Sequence, residues 1–325
     1  MLAHGGGGVP SARAPPPPDE RDGPSWVGGA AYAATVPTAR RLALEYPEDL
    51  AAMWNPAFPE FSAAANGISL LMPFAEPYFV RSVRAALPEL DPDLRASTAD
   101  FLRQEVAHHR HHRRFNDLLV ARYGGLARVE GWIERTYGWL ETHRSLRFNV
   151  AFAAASETIA FCIARWSEDN LGRLFTGADP VASTLYLWHL AEEVEHKSSA
   201  FDVFEALDGS RLRYAAAMLT TTTILVWFVF LASLVQLHAE GRAHHPVVWF
   251  RLIRWSLSMA FSMLPTMAVS CLPGHHPDQL TDPVFLPRWL GRYDPATGTL
   301  PPLDEPAPDL PPAPTSRGTQ PDDGC

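Results

Sequence analysis

Residues 104–116 read QEVAHHRHHRRFN, and residues 188–202 read WHLAEEVEHKSSAFD. Each stretch contains Glu-x-x-His: Glu105 with His108, and Glu193 with His196. On an α-helix, residues three apart share a face, so each stretch turns a carboxylate and an imidazole toward the same side. A single such turn cannot close a metal site, and most histidine-rich turns are simply solvated. Two such turns in one chain call for a search for two further carboxylates. A dinuclear site in a four-helix bundle takes one glutamate from each of two helices and Glu-x-x-His from each of the other two.

Both missing glutamates are present and in the right order. Glu76 lies in NGISLLMPFAEPYFVRSVR (66–84), ahead of the first motif. Glu157 lies in NVAFAAASETIAFCIARW (149–166), ahead of the second, among alanines and other apolar residues. A carboxylate there is costly to bury unless it is paired or bound to a cation. The predicted metal ligands are therefore Glu76, Glu105, His108, Glu157, Glu193 and His196. His112 falls one turn after His108, and His189 one turn before Glu193. These two, with Glu192, are the candidate catalytic or supporting groups. Glu192 and Glu195 are candidate general bases, Asn116 and Asp202 candidates for orienting the ligand histidines, and His109 and His111 face away from Glu105 and are expected in solvent.

Four carboxylates nearly neutralise two divalent ions, and only two imidazoles leave coordination positions open. This donor set predicts two divalent ions, with iron favoured and manganese or zinc as alternatives, since closed zinc sites prefer thiolates or more histidine. The chemistry predicted from it is oxygen-dependent oxidation of a small or hydrophobic organic substrate. The alternatives are hydrolysis by a metal-activated water and metal storage without catalysis.

The rest of the chain is helical in pattern. Period-2 alternation is scarce, so the fold class is all-α. Helices are expected from about Pro77 to Leu87, from Ser97 (as a capping box with Asp100) to Tyr123, over 126–143, over 147–173, and from Pro180 to Leu207 with Asp179 as cap. Ala215–Leu237 has no charged residue, and Trp255–Leu272 is a second uncharged run. The first is long enough to cross a hydrocarbon core of ~30 Å. Burial in the bundle and membrane contact through 215–237 and 255–272 are both open at this point. Arg211, Arg213, Arg251 and Arg254 flank the pair and suit the inner face of a membrane.

The chain has 325 residues, 47% of them apolar, and a formal charge of −9. That balance argues against nucleic acid as a partner, which requires a basic face, and leaves a small-molecule substrate. Its three cysteines have no metal or disulfide spacing, which points to a reducing, cytoplasmic setting. GGGG near the start and PPLDEPAPDLPPAP near the end mark residues 1–34 and 294–325 as tails expected to be disordered, flanking one helical domain over 35–293 with the apolar helix pair at 213–272. Neither a Gly-rich phosphate loop nor a Gly-x-Ser-x-Gly elbow occurs.

WHLAEEVEHKSSAFD, QEVAHHRHHRRFN and NGISLLMPFAEPYFVRSVR, with Trp54-Asn55-Pro56 and the late HHPDQL and LPRWLGRY segments, resemble the bacterial family named predicted metal-dependent hydrolase, over about residues 38 to 290. The resemblance implies a ferritin-like four-helix bundle with additional C-terminal apolar helices. It also implies metal roles for Glu76, Glu105, His108, Glu157, Glu193 and His196, with His112 and His189 nearby. Where that family carries glycine before its first glutamate, this chain has Ala75 followed by Pro77, which predicts that Glu76 begins its helix.

Overall fold

A computed structural model describes residues 37–303. Residues 1–36 and 304–325, which include most of both expected tails, lie outside the described residues. Among the described residues the chain is all-α, with ten α-helices and no strand beyond an isolated bridge between Asp294 and Thr299. The helices are α1 (Pro59–Ala86), α2 (Pro92–Arg122), α3 (Leu126–His143), α4 (Leu146–Glu168), α5 (Leu171–Leu174), α6 (Pro180–Glu195), α7 (Ser199–Leu207), α8 (Arg211–Ala239), α9 (Pro246–Ser270) and α10 (Phe285–Leu290).

Four elements close a ring: α1 packs on α2 and α4, and the pair α6–α7 packs on α2 and α4. α4 is the best-buried member, since its run of alanines lets neighbouring backbones approach closely; Ala151 and Ala153–Ala155 are fully buried. α8 and α9 lean on α1 and α4 from outside this ring, and touch each other at Phe230 and Trp249.

Several helix boundaries differ from those expected. α1 begins 17 residues before Glu76 at Pro59 and runs through both Pro73 and Pro77. Glu76 is therefore well inside a helix and does not begin one. A proline removes one i→i−4 bond, and Pro73 frees the carbonyl of Ser69. The Asn116 amide fills that gap, donating to the Ser69 carbonyl at 2.8 Å. α2 begins at Pro92, where the Asp91 carboxylate accepts from the Asp93 and Leu94 amides at 3.0 Å each. Ser97 is consequently interior, its hydroxyl donating to the Leu94 carbonyl. Asp-Pro supplies a cap and a pre-set first turn together, which Ser97 cannot match. α4 stops at Glu168, short of the expected 173.

Asp179 caps α6 as expected, accepting from Val181 and Ala182. The single helix expected over 180–207, however, is broken at His196, whose backbone leaves the helix (φ −110, ψ 19) before α7 resumes at Ser199. The turn aims Lys197 at the Leu280 carbonyl and Asp282. α9 starts nine residues before Trp255, so Arg251 and Arg254 lie within it. Residues 294–303, expected in the tail, are ordered: the Ala43 amide donates to the Gly298 carbonyl at 2.7 Å, and Gly298 takes φ +72.

Candidate metal centre

The ring of α1, α2, α4 and α6–α7 encloses a buried cluster of carboxylates and imidazoles. Among the described residues, two overlapping groups converge closely enough to hold an ion: Glu105, His108, Glu193 and His196, and Glu76, His108 and His189. All six residues are buried. Glu105 and His108 come from α2, Glu193 and His189 from α6, Glu76 from α1, and His196 from the break after α6.

The spacing within the cluster fits shared donors better than hydrogen bonds. His108 Nδ1 lies 3.7 Å from Glu105 Oε1 and 3.6 Å from Glu193 Oε1. His196 Nε2 lies 3.6 Å from Glu105 Oε1 and 3.7 Å from Glu193 Oε1. His189 Nε2 lies 3.6 Å from Glu76 Oε1. Two donors each ~2.1 Å from a common ion stand ~3.0–3.4 Å apart by simple geometry. Among these atoms, both oxygens of Glu76, Oε1 of Glu105, Nδ1 of His108 and Nε2 of His196 are buried without any hydrogen-bond partner. Orphaned polar atoms are rare in protein interiors. Five of them in one cluster, all of metal-ligating type, fit a bound cation.

The remaining hydrogen bonds determine which nitrogen of each imidazole is free. Glu192 accepts from His108 Nε2–H at 2.9 Å and is itself held by Arg40 at 3.1 Å. That leaves His108 Nδ1 facing the cluster. Burial would raise the Glu192 pKa, but His108 and Arg40 outweigh it and keep this carboxylate ionised below its usual range. His196 Nδ1 pairs with Glu157 Oε2 at 2.8 Å, leaving Nε2 inward.

Three residues behind His189, namely Asn116, Ser69 and His112, set its tautomer. Asn116 donates its amide to the Ser69 carbonyl, so its Oδ1 accepts from the Ser69 hydroxyl at 2.6 Å. With its proton committed, Ser69 Oγ accepts from His112 Nδ1–H at 2.8 Å. His112 Nε2 is then bare and accepts from His189 Nδ1–H at 2.7 Å. The outcome is a bare His189 Nε2 only 2.8 Å from Glu193 Oε1. A lone pair facing a carboxylate oxygen is repulsive unless a cation or proton stands beside them. Burial and the neighbouring imidazoles lower the pKa of both His112 and His189, in keeping with neutral rings.

The carboxylates divide in the metal-free protein. Burial, then Glu105, pushes Glu76 well above the usual carboxylate range; burial, then Glu193, does the same to Glu157. Burial would also raise Glu193, but His196, His189 and His108 overcome it and hold its pKa low. His108 is raised well above its ordinary value, since the Glu105 and Glu192 carboxylates outweigh burial.

A well-formed cavity of about 390 Å³ reaches this cluster. Glu76, Glu105, Glu157, Glu193, His112 and His189 form its charged end, and the remainder is mostly apolar, with scattered hydroxyls such as those of Ser156, Thr221 and Ser233.

Five of the six expected ligands thus stand together with converging donor atoms. Glu157 stands one step back, bonded to His196 and outside both donor groups. His189, expected beside the site, brings a third imidazole into the cluster, and His112 stands behind it. Glu192 and Glu195 are not free bases: Arg40 bonds both oxygens of Glu195 at 2.7 Å. Asn116 does orient a histidine, through Ser69. Asp202 instead pairs with His276 at 2.8 Å, away from the cluster. His111 is not in solvent; its Nδ1 bonds Tyr46 at 3.0 Å, and burial lowers its pKa to about 4.

The sequence reading missed Arg40 and Ser69. Ser69 had a usable signal, since it lies seven residues, about two turns, before Glu76 on the same helix face. Arg40 had none, because its partners are more than 150 residues away.

The family model described as predicted metal-dependent hydrolase matches residues 38–281, well over half of the chain. The chain belongs to this family. Comparisons with curated proteins and with solved structures return no match. The two quoted Glu-x-x-His stretches, the glutamates preceding them, Arg40 and Ser69 all fall inside the segment shared with the predicted metal-dependent hydrolases.

Proposed function

We propose that the protein is a metal-dependent hydrolase whose cluster holds two divalent ions, with Glu76 as the group that moves protons. The observation that carries this reading is the position of Glu76: both of its oxygens are unpartnered, and it lines the cavity at the edge of the cluster. A divalent cation at such a site supplies charge that brings the pKa of water toward neutrality. Glu105, Glu193, His108 and His196 would hold one ion, and Glu76 with His189 would help to hold a second. Glu157 and Glu192 keep His196 and His108 turned inward.

Glu76 Oε2 is placed to accept a proton from water at the cavity end and return it to a leaving group. The apolar walls exclude bulk water and strengthen these interactions.

This replaces the expectation of oxygen-dependent oxidation. That expectation rested on four carboxylates and two imidazoles. Here a third imidazole, His189, has entered the cluster and Glu157 has stepped out. A more nitrogen-rich set with open positions is closer to hydrolytic sites, and the family description points the same way.

The test is turnover of a panel of esters, amides and phosphoesters by metal-reconstituted protein in water enriched in heavy oxygen. Label entering the product from water, lost on chelation and in Glu76→Gln, is the expected result. Product oxygen drawn from dioxygen, or turnover unaffected by chelation, would overturn the reading.

A further inference from the structure

The cavity does not open toward water in the ordinary way. Its far walls are Leu225 and Val229 of α8 and Leu252, Met259, Met263 and Met267 of α9. Val226, Phe230 and Leu264 also line it, yet they are 62%, 45% and 54% exposed. These three side chains therefore form the mouth. Leu219 lies two turns before Val226 on α8, and Leu257 and Phe261 lie two turns and one turn before Leu264 on α9, and all three are large, apolar and exposed. Exposed apolar side chains repeated along one helix face in this way mark a membrane or partner contact.

α8 and α9 have the length and composition of membrane helices, and only 28% and 17% of their apolar windows are buried. At ~1.5 Å per residue they run ~44 and ~38 Å. α8 is nevertheless packed on α1, α3 and α4, and α3 carries Glu130, Glu134 and Arg135. The bundle cannot follow α8 into hydrocarbon, so only the outer face can meet lipid, as in monotopic proteins.

We infer that the cavity binds a single-chain amphiphile drawn from a bilayer that lies against the α8–α9 face, with its chain between α8, α9, α1 and α4 and its polar end at Glu76. Three features set that class. The cavity has one polar end and one apolar end. Its volume falls within the ~300–1,000 Å³ of small-molecule sites, too little for a bulky multi-chain lipid. Its mouth lies in the apolar face, where a chain already in hydrocarbon enters without crossing water. The inference takes from the hydrolase reading only the chemistry at the polar end.

The test uses full-length, metal-loaded protein. Binding of a fluorescent long-chain polyene fatty acid is titrated, with hexadecanoate and butanoate as competitors. Flotation with phosphatidylcholine vesicles is measured alongside. The blocking variants are Ala160→Phe and Ala260→Phe, which place a ring in the cavity from α4 and α9, and metal content reports whether each keeps its fold.

The expected result is saturable binding displaced by hexadecanoate and not by butanoate. It weakens about tenfold or more in either blocking variant at unchanged metal content. The wild type also floats with vesicles, and Leu257→Glu with Phe261→Glu abolishes flotation without abolishing binding in solution. Failure of folded protein to bind the fatty acid, or equal binding in both blocking variants, would overturn the inference. Binding without flotation would overturn its bilayer source. Chain binding with no turnover of any ester, amide or phosphoester supports the inference and removes the hydrolase reading. Turnover of short substrates without chain binding does the reverse.

Discussion

At the scale of single residues, the cluster is governed by side chains that never face it. Glu192 accepts from His108 Nε2–H and is anchored by Arg40, so the ligating nitrogen of His108 is chosen from behind. Glu192→Gln keeps an acceptor but loses the charge that holds the ring. Metal affinity is expected to fall ~10–100-fold, the usual effect of losing an orienting partner, with helical content unchanged; a competitive chelator titration measures it. Ser69→Ala probes the other chain of bonds. It removes the acceptor that keeps the proton on His112 Nδ1, so His189 Nε2 is no longer held bare. A lower metal content per chain than in the wild type, counted by metal analysis, is the expected outcome. Full occupancy at wild-type affinity would show that the Ser69–His112–His189 chain does not set the tautomer.

At the scale of elements, α1 and α8 approach each other closely at Gly67. A Cβ on Gly67 would sit 3.0 Å from Val229 Cα and 3.2 Å from its carbonyl oxygen. Beside it, Asn66 binds Gln236 at 2.8 Å and accepts from the Trp54 indole at 3.0 Å. Gly67→Ala gains helix propensity but forces two backbones apart, and overpacking of this kind costs ~1–3 kcal/mol. Thermal melts are expected to show a lower midpoint for Gly67→Ala; a higher one would mean that α8 yields freely. The same helices show how far the sequence could be read. Glu-x-x-His spacing is local, and it identified the residues from which most of the cluster is built. The Asp179 cap and the α3 boundaries were local too. Helix breaks were not: Pro73 and Pro77 read as punctuation because the side chain that repairs Ser69, Asn116, is 47 residues away. The interruption at His196 likewise depends on Lys197 reaching Asp282. The apolar runs were visible, but only packing reveals that they border a cavity leading to the cluster.

At the scale of the whole molecule, the buried cluster makes stability depend on metal and pH together. In the metal-free protein, His108 has its pKa raised well above 6.5, and Glu76 and Glu157 have theirs raised well above 4.5. A group whose folded pKa is raised contributes stability below its unfolded value and loses it as pH rises through the folded one. His112 and His189 are lowered, and their contribution, of opposite sign, is complete once pH passes their unfolded value near 6.5. Below about pH 6.5 the two sets oppose each other; above about pH 7 only the raised groups act. The metal-free protein should therefore lose stability as pH rises above about 7, by up to ~1.4 kcal/mol per pH unit for each proton that the folded chain retains and the unfolded chain has lost. Bound cations displace those protons beforehand and bind more tightly as pH rises, so the loaded protein should hold or gain stability over the same interval. Paired melts with and without chelator measure the difference directly. Opposite slopes are expected, and parallel ones would mean that the cluster stays protonated and closed, with no cation balancing its carboxylates.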